Sequence, residues 1–105
     1  MLYEYYKGKT AITKRTMIDP SKPNIRIVNP YATYISDTFT GYFLGEPVTY
    51  NCGENEELLE RITELFNYND EAAVNAELAK DASIFGVAYE LLYTDENADI
   101  RFRKI

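Results

Sequence analysis

The sequence predicts an α+β fold, in which three to four helices pack with one C-terminal antiparallel β-hairpin. Apolar residues recur at helical spacing in four segments that end by Phe85. Beyond Gly86 the apolar period changes from 3.6 to 2, which is typical of a strand. Glycine, proline and asparagine stand at the segment ends. The predicted elements are helices at about 2–7, 30–44, 54–67 and 70–85, hairpin strands at about 87–94 and 99–105, and extended pieces at 25–28 and 48–50.

The first helix is short and leads into a loop. Leu2, Tyr5 and Tyr6 fall at helical spacing, and Gly8 is placed to end the helix. Residues 9–22 show little periodicity and finish in turn-forming residues, so they are predicted to form a loop.

The second helix carries signals for both of its ends. Asn29 can cap the first turn, and Pro30 suits the first helical position. Gly45 is expected to end the helix in the left-handed conformation, and Pro47 prevents its continuation. We expect the apolar face of this helix to pack in the core of the chain, with a subunit interface as the alternative. That face consists of Tyr31, Tyr34, Ile35, Phe39, Tyr42 and Phe43.

The third and fourth helices are predicted from apolar stripes and caps. Asn51 and Glu54 have the spacing of a capping box at the start of the third helix. Its glutamates are expected to form a solvent-exposed face, the alternative being an acidic wall that repels DNA. Asn69 or Asp70 can cap the fourth helix, and Gly86 ends it. The glutamates are Glu54, Glu56, Glu57, Glu60 and Glu64.

The hairpin register follows from pairing Thr94 with Asp99 across the turn. The expected opposite pairs are then Leu91 with Phe102, Tyr93 with Ile100, and Glu90 with Arg103.

Composition excludes several classes of site. The chain of 105 residues has no His, no Trp and one Cys, so the usual proton shuttle, the commonest zinc ligands and a thiol pair are missing. No apolar run is long enough to span a bilayer and no signal-peptide pattern is seen, so an intracellular, soluble product is expected.

Charge divides the chain into two parts, although we expect a single domain or subdomain over 1–105. Residues 1–29 carry six Lys or Arg against two acidic residues, a net charge of +4. Residues 30–105 have a net charge of −10, so the whole chain has −6. This basic helix end and connector precedes an acidic α+β body. The basic part is expected to be an ordinary solvated connector, the alternatives being a nucleic-acid contact or docking on the acidic face of a neighbouring copy.

Three blocks in the chain resemble the N-terminal part of tailed-bacteriophage portal proteins. Their order also matches the family, and weaker similarity near Tyr6–Lys9 and Asp95–Phe102 extends the resemblance over nearly the whole chain. Ala98 stands where the family's hairpin turn usually has Gly, so Asn97 would have to take any left-handed position there. The blocks are 22–29 (KPNIRIVN), 40–48 (TGYFLGEPV) and 79–90 (AKDASIFGVAYE).

The resemblance implies a structural subunit of a ring of about a dozen copies at one capsid vertex. Such a ring forms the channel for DNA packaging and ejection, and it docks the terminase, the capsid or scaffolding protein and the head–tail connector. Double-stranded DNA would pass through without sequence-specific binding. The expected location is the virion, after synthesis in the host bacterial cytoplasm and with no membrane partner, and this chain would be a wing-region fragment of a longer protein.

The residues leave two other functions open. A carboxylate-metal nuclease would need a cluster such as Asp95, Glu96 and Asp99 in the hairpin turn, and Asp-rich turns are ordinary. A stand-alone acidic module that binds protein or mimics DNA is the other alternative. We predict no enzyme, and assign no catalytic, cofactor-binding or metal-binding residue and no cofactor.

Overall fold

The computed structural model describes residues 1–105 and has the α+β architecture that the sequence predicts. Four helices are followed by a two-stranded antiparallel sheet, and one 3₁₀ turn lies within the predicted loop. Residues 25–28 and 48–50 belong to no strand. The elements are α1 (Leu2–Tyr6), the 3₁₀ turn (Ala11–Lys14), α2 (Tyr31–Leu44), α3 (Glu56–Tyr68), α4 (Glu71–Phe85), β1 (Glu90–Thr94) and β2 (Ile100–Lys104).

Helix α4 is the centre of the molecule, since α1, α2, α3 and β2 all pack against it. The molecule is elongated, with principal dimensions of 73 × 31 × 18 Å. Its radius of gyration is 20.9 Å, whereas a compact chain of this length has about 13 Å. Only Gly8, Ser36 and Ala79 are buried. The large apolar side chains therefore do not collect into one core.

Both ends of α2 differ from the prediction. Pro30 rather than Asn29 holds the N-cap position, no side chain caps the helix, and the Asn29 backbone carbonyl accepts from the Tyr31 N–H at 2.8 Å. Gly45 has right-handed φ of −63°, so the expected left-handed end is wrong. Glycine is required there for another reason, because a Cβ at this position would collide with the Gly41 carbonyl oxygen.

The start of α3 lies two residues later than predicted. Asn55 caps the helix, since its side-chain oxygen accepts from the Leu58 N–H at 3.1 Å. Asn51 instead accepts from the Gly53 N–H at 2.7 Å and forms a turn before the helix. The predicted capping box is therefore wrong, because the left-handed Gly53 (φ 61°) interrupts the chain between Asn51 and the helix.

The start of α4 follows α3 through a two-residue turn. Asp70 holds the N-cap position with left-handed φ of 53°, but its side chain makes no capping hydrogen bond. The side chain of Asn69 bonds instead to α3 and β2. Neither residue is therefore the side-chain cap that the sequence predicts.

Helix α4 ends at Gly86 as predicted, and this position allows a clean test. Gly86 is left-handed (φ 81°), its N–H bonds the Ala82 carbonyl at 2.8 Å, and an added Cβ would meet no atom within 4 Å. We expect Gly86→Ala to lower the free energy of unfolding by about 1–2 kcal/mol through backbone strain alone. Gly41→Ala, inside α2 and equally open, should raise it by about 0.5–1 kcal/mol. Urea denaturation of both variants tests this, and a Gly86→Ala variant as stable as the wild type would contradict it.

The hairpin forms with a register one residue away from the prediction. Thr94 pairs with Ile100, so Leu91 faces Arg103, Tyr93 faces Arg101 and Glu90 faces Lys104. The strands are also shorter than predicted, at 90–94 and 100–104.

The five-residue loop 95–99 is the reason for this register. The Asp95 N–H donates to the Asp99 carbonyl at 2.9 Å, and the Asp95 carboxylate accepts from the N–H groups of Asn97 and Asp99. Asp99 is thereby kept in the loop. Ala98, and not Asn97 as expected, takes the left-handed position with φ of 64°.

Lys104 joins the hairpin to α4. Its Nζ lies 3.1 Å from the Asp81 carboxylate and 3.3 Å from that of Glu77. Hydrogen bonds to Asp81 and, more weakly, to Glu77 raise the pKa of Lys104 above its usual 10.5, against the opposing effect of partial burial.

This raised pKa predicts a loss of stability at alkaline pH. A raised folded-state pKa means that the contribution is fully present below 10.5 and is lost as the pH rises through the folded-state pKa. We therefore expect the difference in Tm between wild type and Lys104→Met to be constant up to that pH and to shrink above it. Lys104→Arg stays charged at these pH values, so the difference in Tm between Lys104→Arg and Lys104→Met should not shrink. A difference that does not change with pH would contradict the role of these pairs.

Candidate interaction surface

Helix α2 packs on its neighbours through small and polar residues. The Ser83 hydroxyl of α4 donates to the Ser36 hydroxyl at 3.0 Å, and the Thr33 hydroxyl donates to the Tyr6 carbonyl of α1. Asp37 lies 3.3 Å from the Lys80 ammonium and accepts from the Tyr6 hydroxyl at 2.9 Å. Together these bonds set the rotation of α2 about its axis.

The opposite side of α2 is apolar and open to solvent. We define the α2 aromatic face as Tyr31, Tyr34, Ile35, Phe39, Tyr42 and Phe43, whose exposed fractions range from 48% at Phe39 to 93% at Tyr42. The expectation that this face packs in the core of the chain is therefore wrong within residues 1–105. The physical reason is that the hydroxyl bonds and the Asp37–Lys80 ion pair hold the other side of the helix against α1 and α4.

Sequence reasoning missed the packing side of α2. A signal for it exists, because Thr33, Ser36 and Thr40 recur at spacings of three and four residues and so lie on one side of a helix. Small residues on one side allow a neighbouring helix to approach closely, and Ala79 of α4 is buried at this contact region.

The α2 aromatic face is large and carries no charge. At roughly 200 Å² for each fully exposed aromatic side chain, its five rings expose on the order of 700 Å². The largest apolar patch on an ordinary monomer is about 300–600 Å². Phe39 and Phe43 stack with ring centroids 5.7 Å apart. The only charged residue of α2, Asp37, lies at the border of this face, one turn after Tyr34, and it pairs with Lys80.

The acidic and basic regions lie at opposite ends of α4. Tyr3 of α1 stacks on Phe85 at the C-terminal end of α4, and the basic connector leaves from α1. It returns beside its start, since an added Cβ at Gly8 would lie 3.2 Å from Val28. Helix α3 meets the N-terminal end of α4, and its four glutamates are exposed, as is Glu54 just before the helix.

Most charges in these two regions have no opposite partner within the chain. Among the six cations of residues 1–29, only Lys22 forms an ion pair, at 3.9 Å from Asp19. Among the α3 glutamates, only Glu57 forms one, at 3.0 Å from Arg61. Both regions are therefore solvated, and the three interpretations of the basic connector stay predictions.

A groove lies between the segment 47–50 and helices α3 and α4, with a volume of about 440 Å³. Its Glu71 carboxylate accepts hydrogen bonds from the Tyr50 hydroxyl and the Asn75 amide. The bond to Glu71 is the main reason that the pKa of Tyr50 is raised above 10.0. The Tyr50 hydroxyl and the Glu71 carboxylate of this groove are thus already paired with each other.

The acidic hairpin loop is organised by its own backbone. Asp95 accepts two backbone N–H groups of the loop, and the Tyr68 hydroxyl lies 3.5 Å from Asp99. The structure contains no group of three or more His, Cys, Asp or Glu side chains arranged to hold a metal ion. It also has no helix that is long and apolar enough to cross a membrane.

A melting experiment tests the metal-site alternative directly. Ligand binding to the folded state raises Tm by mass action. Because the loop carboxylates do not converge, we expect excess Mg²⁺ or Mn²⁺ to leave the Tm unchanged relative to the same ionic strength of NaCl. A rise that Asp95→Asn abolishes would show a cation site at this loop.

Comparison with known proteins gives one family. A family model described as "Phage portal protein, SPP1 Gp6-like" matches residues 1–105, which is the whole chain. No curated protein matches the chain. The family match confirms the resemblance that the three sequence blocks predict.

Proposed function

The chain belongs to the SPP1 Gp6-like family of phage portal proteins, and we propose that it is part of a structural subunit of the portal ring, without enzymatic activity. Family members act at the phage capsid vertex in DNA packaging. For this chain, the proposed ring forms the channel through which DNA is packaged and ejected. The terminase docks on it during packaging, and the head–tail connector docks on it afterwards.

The single observation that carries this proposal is the match of one family over the whole chain. The structure supports it through the surface that the chain leaves open. Its accessible surface is 8631 Å², about 2,600 Å² more than the roughly 6,000 Å² of a compact monomer of the same mass. Such a surface is expected of a part of a ring subunit, because the rest of the subunit and the neighbouring copies both cover it.

The charge of the chain fits passage of DNA rather than its capture. The net charge is −6, and the exposed glutamates of α3 would repel phosphates. We propose that double-stranded DNA passes the ring without sequence-specific binding, and that this chain lies in the outer, wing-like region. Capsid or scaffolding protein is a further proposed partner.

Electron microscopy of the gene product that carries this chain tests the proposed function. We expect rings with a central hole in negative stain, and a single labelled vertex when phage particles are treated with a gold-conjugated antibody against residues 1–105. A monodisperse monomer at high concentration, or label spread over the capsid, would contradict the proposal. Deletion of the gene should leave capsids without packaged DNA.

A further inference from the structure

We propose that the basic connector of one copy binds the acidic face of helix α3 on the neighbouring copy. The proposal rests on the proposed function, because a ring joins each copy to the next through two different surfaces of the same chain. The two surfaces are the connector patch, defined as Lys14, Arg15 and Arg26, and the α3 acidic row, defined as Glu56, Glu60 and Glu64.

The fold brings together connector cations that are distant in the sequence. The Arg26 guanidinium donates to the Thr13 carbonyl at 3.2 Å, and the Asn24 amide donates to the Arg15 carbonyl at 2.8 Å. These two bonds hold the limbs of the connector side by side. The three cations of the connector patch are exposed, and none of them forms an ion pair. The connector therefore presents one positive surface.

The α3 acidic row is a matching negative surface. Its three glutamates follow one another at a spacing of four residues, so they lie along one side of the helix. All three are exposed and none forms an ion pair, since the single ion pair of α3 joins Glu57 to Arg61. Like charges at this spacing destabilise a helix. A cationic surface against the row would relieve that repulsion.

The two surfaces cannot neutralise each other within one copy. The connector begins beside the C-terminal end of α4, where Tyr3 stacks on Phe85, and α3 meets the N-terminal end. Helix α4 has 15 residues and is therefore about 22 Å long. This length is more than twice the Debye length of about 8 Å at physiological ionic strength. No hydrogen bond between side chains and no ion pair joins the connector to α3.

Charge complementarity identifies the partner as a second copy. A head-to-tail contact requires two different surfaces that fit each other and lie apart on one chain, and the connector patch and the α3 acidic row meet this requirement. Duplex DNA would also attract the connector patch, but its phosphates would be repelled by the α3 acidic row. A second copy pairs both surfaces in a single contact.

The test reverses the charge of each surface separately. The connector variant combines Lys14→Glu with Arg15→Glu, and the row variant combines Glu60→Lys with Glu64→Lys. A control variant, Glu46→Lys with Glu96→Lys, makes the same charge change as the row variant at exposed, unpaired positions outside α3. All of these side chains are exposed, so the variants should fold, which circular dichroism verifies.

Association of the gene product is measured by light scattering over a dilution series, together with ring counts by electron microscopy. We expect the connector variant and the row variant, each alone, to raise the dissociation constant at least roughly tenfold, because like charges then meet at the contact. The control variant should stay within about threefold of the wild type.

A mixture of the two reversed variants gives the decisive measurement. In a 1:1 mixture every negative connector can meet a positive α3, and every positive connector can meet a negative α3, when the copies alternate. We expect this mixture to associate within about threefold of the wild type. The connector variant mixed with the control variant has the same total charge and should not recover.

The outcomes separate this contact from the proposed function. Reversed variants that form rings as readily as the wild type would overturn the contact and leave the portal function standing. Reversed variants that lose association without recovery in the mixture would also overturn it, since each surface would then bind something other than its counterpart on a neighbouring copy. A connector variant that associates normally but no longer binds a fluorescent 30-base-pair duplex would instead show a nucleic-acid contact. Recovery in the mixture by a product that forms only small oligomers would support the contact and contradict the ring. A wild-type monomer at every concentration would overturn both.

Discussion

Replacement of Phe66 by alanine is expected to lower the free energy of unfolding by about 2–3 kcal/mol. Phe66 of α3 is the central ring of a three-ring cluster, with its centroid 4.8 Å from that of Tyr50 and 5.8 Å from that of Phe102. It therefore joins α3 both to the segment before the helix and to β2. The expected value lies below that of a fully buried phenylalanine because Phe66 is only half-buried.

Phe43→Ala is the matched control for this prediction. Phe43 is 65% exposed on the α2 aromatic face and stacks only on Phe39. Below the concentration at which the chain associates, its loss should cost no more than about 1 kcal/mol. Guanidinium denaturation followed by far-UV circular dichroism measures both variants. Equal destabilisation by Phe66→Ala and Phe43→Ala would show that the three-ring cluster does not hold α3 to the hairpin.

The helices could be predicted because the apolar spacing of each helix and the residues that begin or end it lie close together in the sequence. Helix α4 ends at Gly86 as predicted, since a left-handed glycine at a helix end is a local requirement. The starts of α3 and α4 could not be predicted to the residue. Asparagines at 51, 55 and 69 are all suitable caps, and only the path of the chain decides that Asn55 caps while Asn69 bonds to a strand.

The prediction of the hairpin register was wrong for a different reason. The alternation of apolar residues identifies the strands, but the loop determines which residues pair. Here the Asp95 carboxylate organises five loop residues, and Ala98 adopts a left-handed conformation that alanine seldom takes. Neither feature has a signal in the apolar pattern.

The α2 aromatic face shows the limit of periodicity for predicting a site. The spacing of the rings correctly identifies one face of a helix, but it does not tell whether that face is covered by the same chain. The decision comes from long-range contacts of Ser36 and Asp37 with α4, which join residues 43 or more positions apart. The family, in contrast, was predictable, because three blocks in the correct order carry it.

Asn69→Ala is expected to lower the free energy of unfolding by about 2 kcal/mol, because three hydrogen bonds are lost at once. The Asn69 amide donates to the carbonyls of Leu65 and Ile100, at 2.9 Å each, and its oxygen accepts from the Phe102 N–H at 3.2 Å. The side chain thus bonds the edge of β2 as a residue of a neighbouring strand would. A two-stranded sheet has little stability of its own, so this support is important.

The loss should be local to the hairpin and should be visible in hydrogen exchange. In the wild type the Phe102 amide is bonded to Asn69, and in Asn69→Ala it becomes free at the edge of the strand. We expect exchange at Phe102 to accelerate at least roughly tenfold, while amides in the middle of α2 change only by the global loss of stability. Asn67→Ala, at an exposed position two residues earlier without a side-chain hydrogen bond, should leave both measurements unchanged. If Phe102 exchanges at the wild-type rate in Asn69→Ala, then packing of the Phe66 cluster, rather than the Asn69 hydrogen bonds, must hold β2 against α3. Phe66→Ala would then be expected to destabilise the chain by a larger margin over Asn69→Ala than the two values given above.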